Sequence, residues 1–254
     1  MKGKRLVLSL RSMKDNISPY KDKKQSKKEQ VTQMFDGISP QYDALNRVIS
    51  LGIDLKWRKR LVAMAEKVSP KTILDVATGT GDLAIALKKT KAIKIVGLDI
   101  SPGMLEVGKQ KVNKLALEKT IEMVLGDSEN LQYEEDFFDV VTVAFGVRNF
   151  ENLEKGLHEI YRVLRPGGQL LILETAVPNK FPFKQGYKLY SSLFVPLIGK
   201  LFTKDQSAYQ YLSDSAAIFP HGKNFNNILK KIGFKDVKDN PQTLGVASIY
   251  CATK

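Results

Sequence analysis

Between Lys71 and Leu105 the chain reads KTILDVATGTGDLAIALKKTKAIKIVGLDISPGML, with its acids and glycines at the joints of a strand, turn and helix pattern. Asp75 lies near the end of a β-favouring run, Thr72 to Val76; Gly79 and Gly81 bend the chain; Asp82 follows, and residues 83–89 can run as a helix. A second strand, residues 93–98, delivers Asp99 at its carboxyl end, where open parallel sheets hold ligands. Ser101-Pro102 then reads as a helix N-cap followed by Pro at the first helical position.

Two cofactors fit such a turn. Gly79-x-Gly81-x-x-Ala84 satisfies the loose dinucleotide fingerprint, with Asp99 at a suitable distance. Asp75 and Asp82, however, would repel a pyrophosphate and attract a ligand with a cationic amino-acid end. S-adenosyl-L-methionine is such a ligand, and its ribose diol can donate two hydrogen bonds to one carboxylate, the part assigned to Asp99. A third acid continues the pattern: residues 121–125 read as a strand, and Gly126-Asp127-Ser128 ends it with a polar turn able to meet an adenine amino group.

The elements that must hold these groups are long enough to bury a full core: 254 residues, 43% apolar and 26% charged, fit one α/β domain with additions. A single cysteine, Cys251, rules out an internal disulfide framework, and two histidines, His158 and His221, make metal chemistry a poor expectation. No apolar run reaches the roughly 18–20 residues of a membrane span, and the basic opening is too short and broken for an export signal, so a cytoplasmic location is expected. Of the net charge of +13, residues 1–30 supply +7, from ten Lys or Arg against three Asp or Glu. Residues 1–28 are accordingly expected to form a basic flexible leader, residues 29–254 a single domain, and no nucleic-acid partner is expected.

In chain order, helical spacing covers residues 30–35 and 55–68, separated by Phe35-Asp36-Gly37-Ile38-Ser39-Pro40-Gln41-Tyr42-Asp43-Ala44-Leu45-Asn46, a stretch able to cap the site or cover it as a lid. Trp57 reads as a packing anchor. Residues 138–145 form a nearly continuous apolar strand suited to a sheet centre, ending at Gly146-Val147-Arg148-Asn149. A helix follows with Leu153, Leu157, Ile160 and Val163 on one face and His158 off it, then a strand over residues 169–173 ending at Glu174. Residues 178–216 interrupt the α/β rhythm; within them Phe181, Phe183, Tyr187, Tyr190 and Phe194, flanked by lysines, predict an amphipathic segment that walls an apolar cavity or dips into a membrane. Residues 225–232 return to a helix, and residues 235–238 and 246–252 read as a closing strand pair.

These motifs resemble a known family. Asp75-Val76-Ala77-Thr78-Gly79-Thr80-Gly81-Asp82, Asp99 and Leu164-Arg165-Pro166-Gly167-Gly168 are similar to the signature of class I S-adenosylmethionine-dependent methyltransferases. Tyr42-Asp-x-Leu-Asn46, Gly52-x-Asp-x-x-Trp57-Arg58 and Phe145-Gly146-Val147-Arg148-Asn149 resemble the ubiquinone/menaquinone biosynthesis C-methyltransferases. Ala77 stands where the broader motif has its first glycine, a place a small residue should tolerate, and Asp127-Ser128 stands where many relatives carry Asn-Ala.

The resemblance implies a Rossmann-like, seven-stranded, mostly parallel sheet with its final strand antiparallel, helices on both faces, an N-terminal helical cap and an inserted amphipathic segment. It implies methylation of a reduced prenylated quinone at a ring carbon, demethylmenaquinol in the first place and a prenyl-benzoquinol as the alternative; a nicotinamide oxidoreductase is the more distant rival. The cofactor contacts implied are Asp75, Thr78, Gly79, Thr80, Gly81, Asp99, Ile100, Met104, Asp127, Ser128 and Ala144. Arg148 and Asn149 are expected to orient the quinol oxygen, with Tyr42 and Asp43 beside them and Asn46, Phe145 and Tyr187 around the substrate. The proton acceptor is a held water, Asp43 or another acid, since arginine cannot serve. A prenyl tail resides in the bilayer, so peripheral contact of the leader and insert with anionic lipid is expected, and a homodimer is compatible with the sequence.

Overall fold

The computed structural model describes residues 17–20, 22, 24–178, 181–182, 184–186, 190 and 206–254. Most of the insert, Tyr187 included, and most of the basic leader lie outside the described residues.

One seven-stranded sheet organises the molecule, in the order β3-β2-β1-β4-β5-β7-β6. Its strands are β1 (Thr72–Val76), β2 (Lys94–Asp99), β3 (Ile121–Leu125), β4 (Phe138–Ala144), β5 (Leu164–Thr175), β6 (Lys235–Gln242) and β7 (Ala247–Thr253). The first five run parallel, and β7 lies antiparallel between β5 and β6. β5 starts five residues earlier than the sequence pattern suggests, because Leu164 already pairs with Phe138; the Arg165-Pro166-Gly167-Gly168 turn then bulges out before pairing resumes at Val140 and Gln169.

The central strands β1 and β4 are buried almost throughout, which explains their mostly apolar text. Leu74, Val141, Phe138 and Leu157 pack with Leu229 and Tyr250 in one core cluster. Trp57, Leu61, Ile73, Leu83 and Ile249 pack in a second. Trp57 is the anchor expected of it, 7% exposed and tied by its indole N–H to Thr243 Oγ1 at 2.8 Å.

Ahead of the sheet, α1 (Lys27–Ile38), α2 (Tyr42–Ser50) and α3 (Ile53–Glu66) form the expected cap. α1 begins two residues before the expected boundary at Glu29, since Ser26 and Glu29 make a reciprocal capping box that satisfies its first amides. Val31, Met34, Phe35, Ile38 and Leu45 pack a third apolar cluster with Met104 and Tyr211. The remaining helices are α4 (Asp82–Leu87), α5 (Pro102–Lys114), α6 (Leu153–Val163), α7 (Gln206–Ile218) and α8 (Lys223–Ile232). α4 gives way to a 3-10 turn at residues 88–90, so the helix expected over 83–89 is shorter. No helix among the described residues is long and apolar enough to cross a membrane.

Candidate active site

Three successive departures from ordinary backbone make the turn after β1. Ala77, Gly79 and Gly81 all adopt left-handed conformations, with φ of 53°, 57° and 78°. Ala77 therefore holds a conformation that favours glycine, a strain of order 1 kcal/mol that the surrounding packing must fix. Its methyl also dictates a distant residue: a side chain at Gly146 would place Cβ 2.4 Å from Ala77 Cβ, so only glycine fits beside it.

Asp75 holds this turn from beneath. Thr78 Oγ1 donates to Asp75 Oδ2 and Thr142 Oγ1 to Asp75 Oδ1, each at 2.6 Å, which fastens the turn and β4 to β1. Burial pushes the carboxyl up to about 6 against these two hydrogen bonds. Asp75 is 1% exposed and lies behind the cleft lining.

Asp82 is likewise already partnered. It is neutralised by Arg47 (2.6 Å) and Lys111 (2.7 Å), which overcome burial and hold its carboxyl below the usual range. Lys111 also pairs with Asp43, and Thr80 Oγ1 donates to Asp43 Oδ1 at 2.6 Å. Asp54 binds both Arg47 and Arg58. These charges strap α2 and α3 to α4 and α5. Asp43 belongs to that strap and lies outside the cleft lining.

The cleft itself, about 680 Å³ when its open mouth is included, opens at the carboxyl ends of β1, β2 and β4. Of the expected cofactor contacts, Gly79, Asp99, Ile100, Met104, Asp127, Ser128 and Ala144 line it, while Asp75, Thr78, Thr80 and Gly81 support the turn from outside the lining. Asp99 ends β2 and is fixed by backbone: Gly79 N–H donates to Oδ2 at 2.7 Å and Ser101 N–H to Oδ1 at 2.9 Å. Burial raises its carboxyl, opposed by these amides. An ionised carboxylate has about four lone-pair sites, so acceptor capacity remains for a ligand diol.

α1 closes one side of the cleft. Lys28 Nζ donates to Asp127 Oδ2 (2.6 Å) and Lys27 Nζ to the Phe150 carbonyl (2.9 Å). Asp36 accepts from Ser101 Oγ (2.5 Å) and Gly103 N–H (2.9 Å), which seats α1 on the N-terminus of α5. Asp36 and Lys28 went unnoticed in the sequence because their partners lie far along the chain.

The opposite side is aromatic and polar. Tyr42, Phe145 and Asn149 line it. Phe145, itself at φ 59°, packs with its ring tilted 55° to that of Trp57, centroids 6.2 Å apart, and lies under the Arg58 guanidinium at 5.5 Å. The Tyr42 phenol is raised by burial, opposed by its hydrogen bond with Asn46 and the charges of Arg148 and Arg58. Asn46 thus acts on Tyr42 and is not itself in the lining. Arg148 is likewise outside it: its NH1 is 2.5 Å from Glu174 Oε1 and donates to the Phe145 carbonyl at 2.9 Å. Its positive charge stands behind the wall that Tyr42 and Asn149 form. Glu174, fully buried, and Tyr211, whose hydroxyl donates to Asn149 Oδ1 at 3.2 Å, complete this side.

The architecture recurs in solved structures. A methyltransferase dependent on S-adenosylmethionine from Aquifex aeolicus aligns with a TM-score of 0.52 at 20% identity, over 72% of this chain and 81% of that one. Phosphoethanolamine N-methyltransferase 2 of Haemonchus contortus, solved with S-adenosyl-L-methionine, aligns with a TM-score of 0.56 at 17% identity, over 77% of this chain and 52% of that one. The fold is that of S-adenosylmethionine-dependent methyltransferases.

Sequence comparison narrows the class. The model of the ubiE/COQ5 methyltransferase family matches residues 23–254, and the chain belongs to that family. Demethylmenaquinone methyltransferase of Bacteroides fragilis is 45% identical over 241 residues, 94% of this chain and 98% of that protein. The ubiquinone/menaquinone biosynthesis C-methyltransferase of Geotalea daltonii is 43% identical over 230 residues, 90% of this chain and 97% of that protein. The chain is a methyltransferase.

Proposed function

We propose that this methyltransferase transfers a methyl group from S-adenosyl-L-methionine to a ring carbon of a reduced prenylated quinone, converting demethylmenaquinol to menaquinol. One observation carries the choice of cofactor: the Gly79 amide, the donor a pyrophosphate would need at the turn, already donates to Asp99. A dinucleotide would lose that amide and meet a carboxylate, whereas a ribose diol finds an acceptor there. Lys28, a cation in the lining, is paired with Asp127. Leu98, Ile100, Met104 and Phe35 offer apolar surface for an adenine ring between these polar groups.

When bound, the cofactor supplies a methyl group already activated by its sulfonium. The protein must hold the acceptor carbon in line at about 3–3.5 Å and favour the ionised ring hydroxyl that enriches it in electrons. Phe145 and Tyr42 give the ring its walls, Asn149 gives its oxygen a polar neighbour, and the buried positive charge of Arg148 favours the oxyanion from behind. The naphthoquinol reading is supported by the name of the Bacteroides fragilis relative.

A prenyl tail also calls for access to a bilayer. Peripheral binding to anionic lipid through the basic leader and the aromatic segment after β5 provides it, and sedimentation with anionic vesicles at low and high salt tests it: salt-sensitive binding is expected, and none contradicts it. Titration with labelled S-adenosylmethionine and with NAD tests the cofactor; binding of the first alone is expected, and preference for NAD overturns the reading.

A further inference from the structure

We propose that Glu174 and Tyr211 are positioning residues for the methyl-transfer step: Glu174 aims the guanidinium of Arg148, and Tyr211 orients the carboxamide of Asn149. The inference rests on the function proposed above and extends it to residues outside the cleft lining.

Glu174 is fully buried near the end of β5. Its Oε1 accepts from Arg148 NH1 (2.5 Å), Thr175 N–H (2.8 Å) and Thr175 Oγ1 (3.1 Å). Among the described residues, Oε2 is buried without a partner, as is Nε of Arg148. A buried ion pair with unsatisfied atoms is a poor device for stability, because desolvation offsets its Coulomb attraction. Its effect is geometric. Glu174 and the Phe145 carbonyl grip the same nitrogen and hold the positive charge beside the Tyr42 and Asn149 wall.

Tyr211 reaches the same place from α7, and is 2% exposed. Burial pushes its phenol well above the ordinary range, with Arg148 opposing, so the hydroxyl keeps its proton and donates to Asn149 Oδ1. With Oδ1 engaged, the two Nδ2 donors are left for another acceptor, and Asn149 borders the cleft. A quinol oxygen is an acceptor, strongly so once ionised, and meets a donor there. Without Tyr211 the amide is free to rotate and to offer an oxygen to that oxyanion.

Two variants test the pair, with cofactor affinity measured by titration and thermal unfolding recorded for each. Glu174→Gln keeps the side chain's volume and removes the charge that aims Arg148. Cofactor Kd is expected to stay within about twofold and kcat to fall about tenfold. The acidic limb of the kcat profile moves to higher pH, because a guanidinium no longer aimed at the ionising hydroxyl favours its oxyanion less. An unmoved limb overturns the role of Glu174, whatever the loss of rate.

Tyr211→Phe removes one hydroxyl and retains the packing. About a tenfold loss of kcat is expected at unchanged cofactor KM, and that loss is expected to vanish when Asn149 is already Ala, since Tyr211 acts through Asn149. Persistence of the full loss in the Asn149→Ala background, or no loss at all, overturns it. A wild-type protein that binds the cofactor but methylates no quinol refutes the proposed function instead, which separates the two failures.

Discussion

The donor side of the cleft, from β1 to the turn after β3, is made of backbone: amides of Gly79 and Ser101 fix Asp99, and left-handed residues shape the turn. The acceptor side is made of side chains brought from α2, the end of β4, the end of β5 and α7, held by the Arg148–Glu174 ion pair and the Tyr211–Asn149 hydrogen bond. Backbone holds one geometry for a cofactor of fixed shape, whereas side chains can be exchanged to suit another acceptor without disturbing the sheet. The two sides approach tightly where Ala77 meets Gly146, with no room there for a side chain on the glycine.

The largest expected effects would break that division if they crossed it. Asp99→Ala removes the proposed acceptor for the diol and is expected to weaken cofactor binding about 100-fold by calorimetry, from two charge-assisted hydrogen bonds of about 1.5–3 kcal/mol each, partly replaced by water. Asn149→Ala is expected to leave that affinity within about twofold and to lower kcat by about 10- to 100-fold in single-turnover assays. A large affinity loss in the second variant would show that the sides are not separate.

Gly146→Ala probes the seam. The added methyl must displace Ala77 or β4, with an expected destabilisation of about 1–3 kcal/mol, a drop in Tm of about 2–12 °C. Ala77→Gly in the same chain removes the clashing methyl and is expected to restore most of it. Failure of that rescue would put the strain elsewhere.

Asp75 sharpens the donor side. Its carboxyl rises from 3.8 to about 6 on folding, so the folded protein binds this proton more tightly than the unfolded chain does. The contribution therefore favours folding at low pH, is lost as pH rises from about 4 to 6, and stays absent above, a difference of order 3 kcal/mol. Asp75→Asn lacks that titration. The variant's Tm relative to the parent is expected to be about 5–10 °C higher at pH 7 than the same difference at pH 4, read by calorimetry. Parallel curves would mean that Asp75 titrates normally.

The same division explains what could be read from sequence. The donor side lies within one stretch, residues 75–128, where strand ends, glycines and acids follow in fixed order, so the sheet, the turn and Asp99 were legible. Burial was not: nothing in the spacing shows that Asp75 is sealed beneath Thr78 and Thr142, or that Arg47 and Lys111 neutralise Asp82. On the acceptor side, Arg148 and Asn149 were found by motif, yet Arg148 stands behind the wall because its partner, Glu174, lies 26 residues on in the neighbouring strand. Tyr211 follows Asn149 by 62 residues, and no local pattern connects them.

The most direct test is single-turnover transfer from methyl-labelled S-adenosylmethionine to reduced demethylmenaquinone, with the product resolved by NMR. The label is expected on the ring carbon, with one S-adenosylhomocysteine released per methyl. Label on oxygen, or no transfer from a cofactor shown to be bound, would contradict the account.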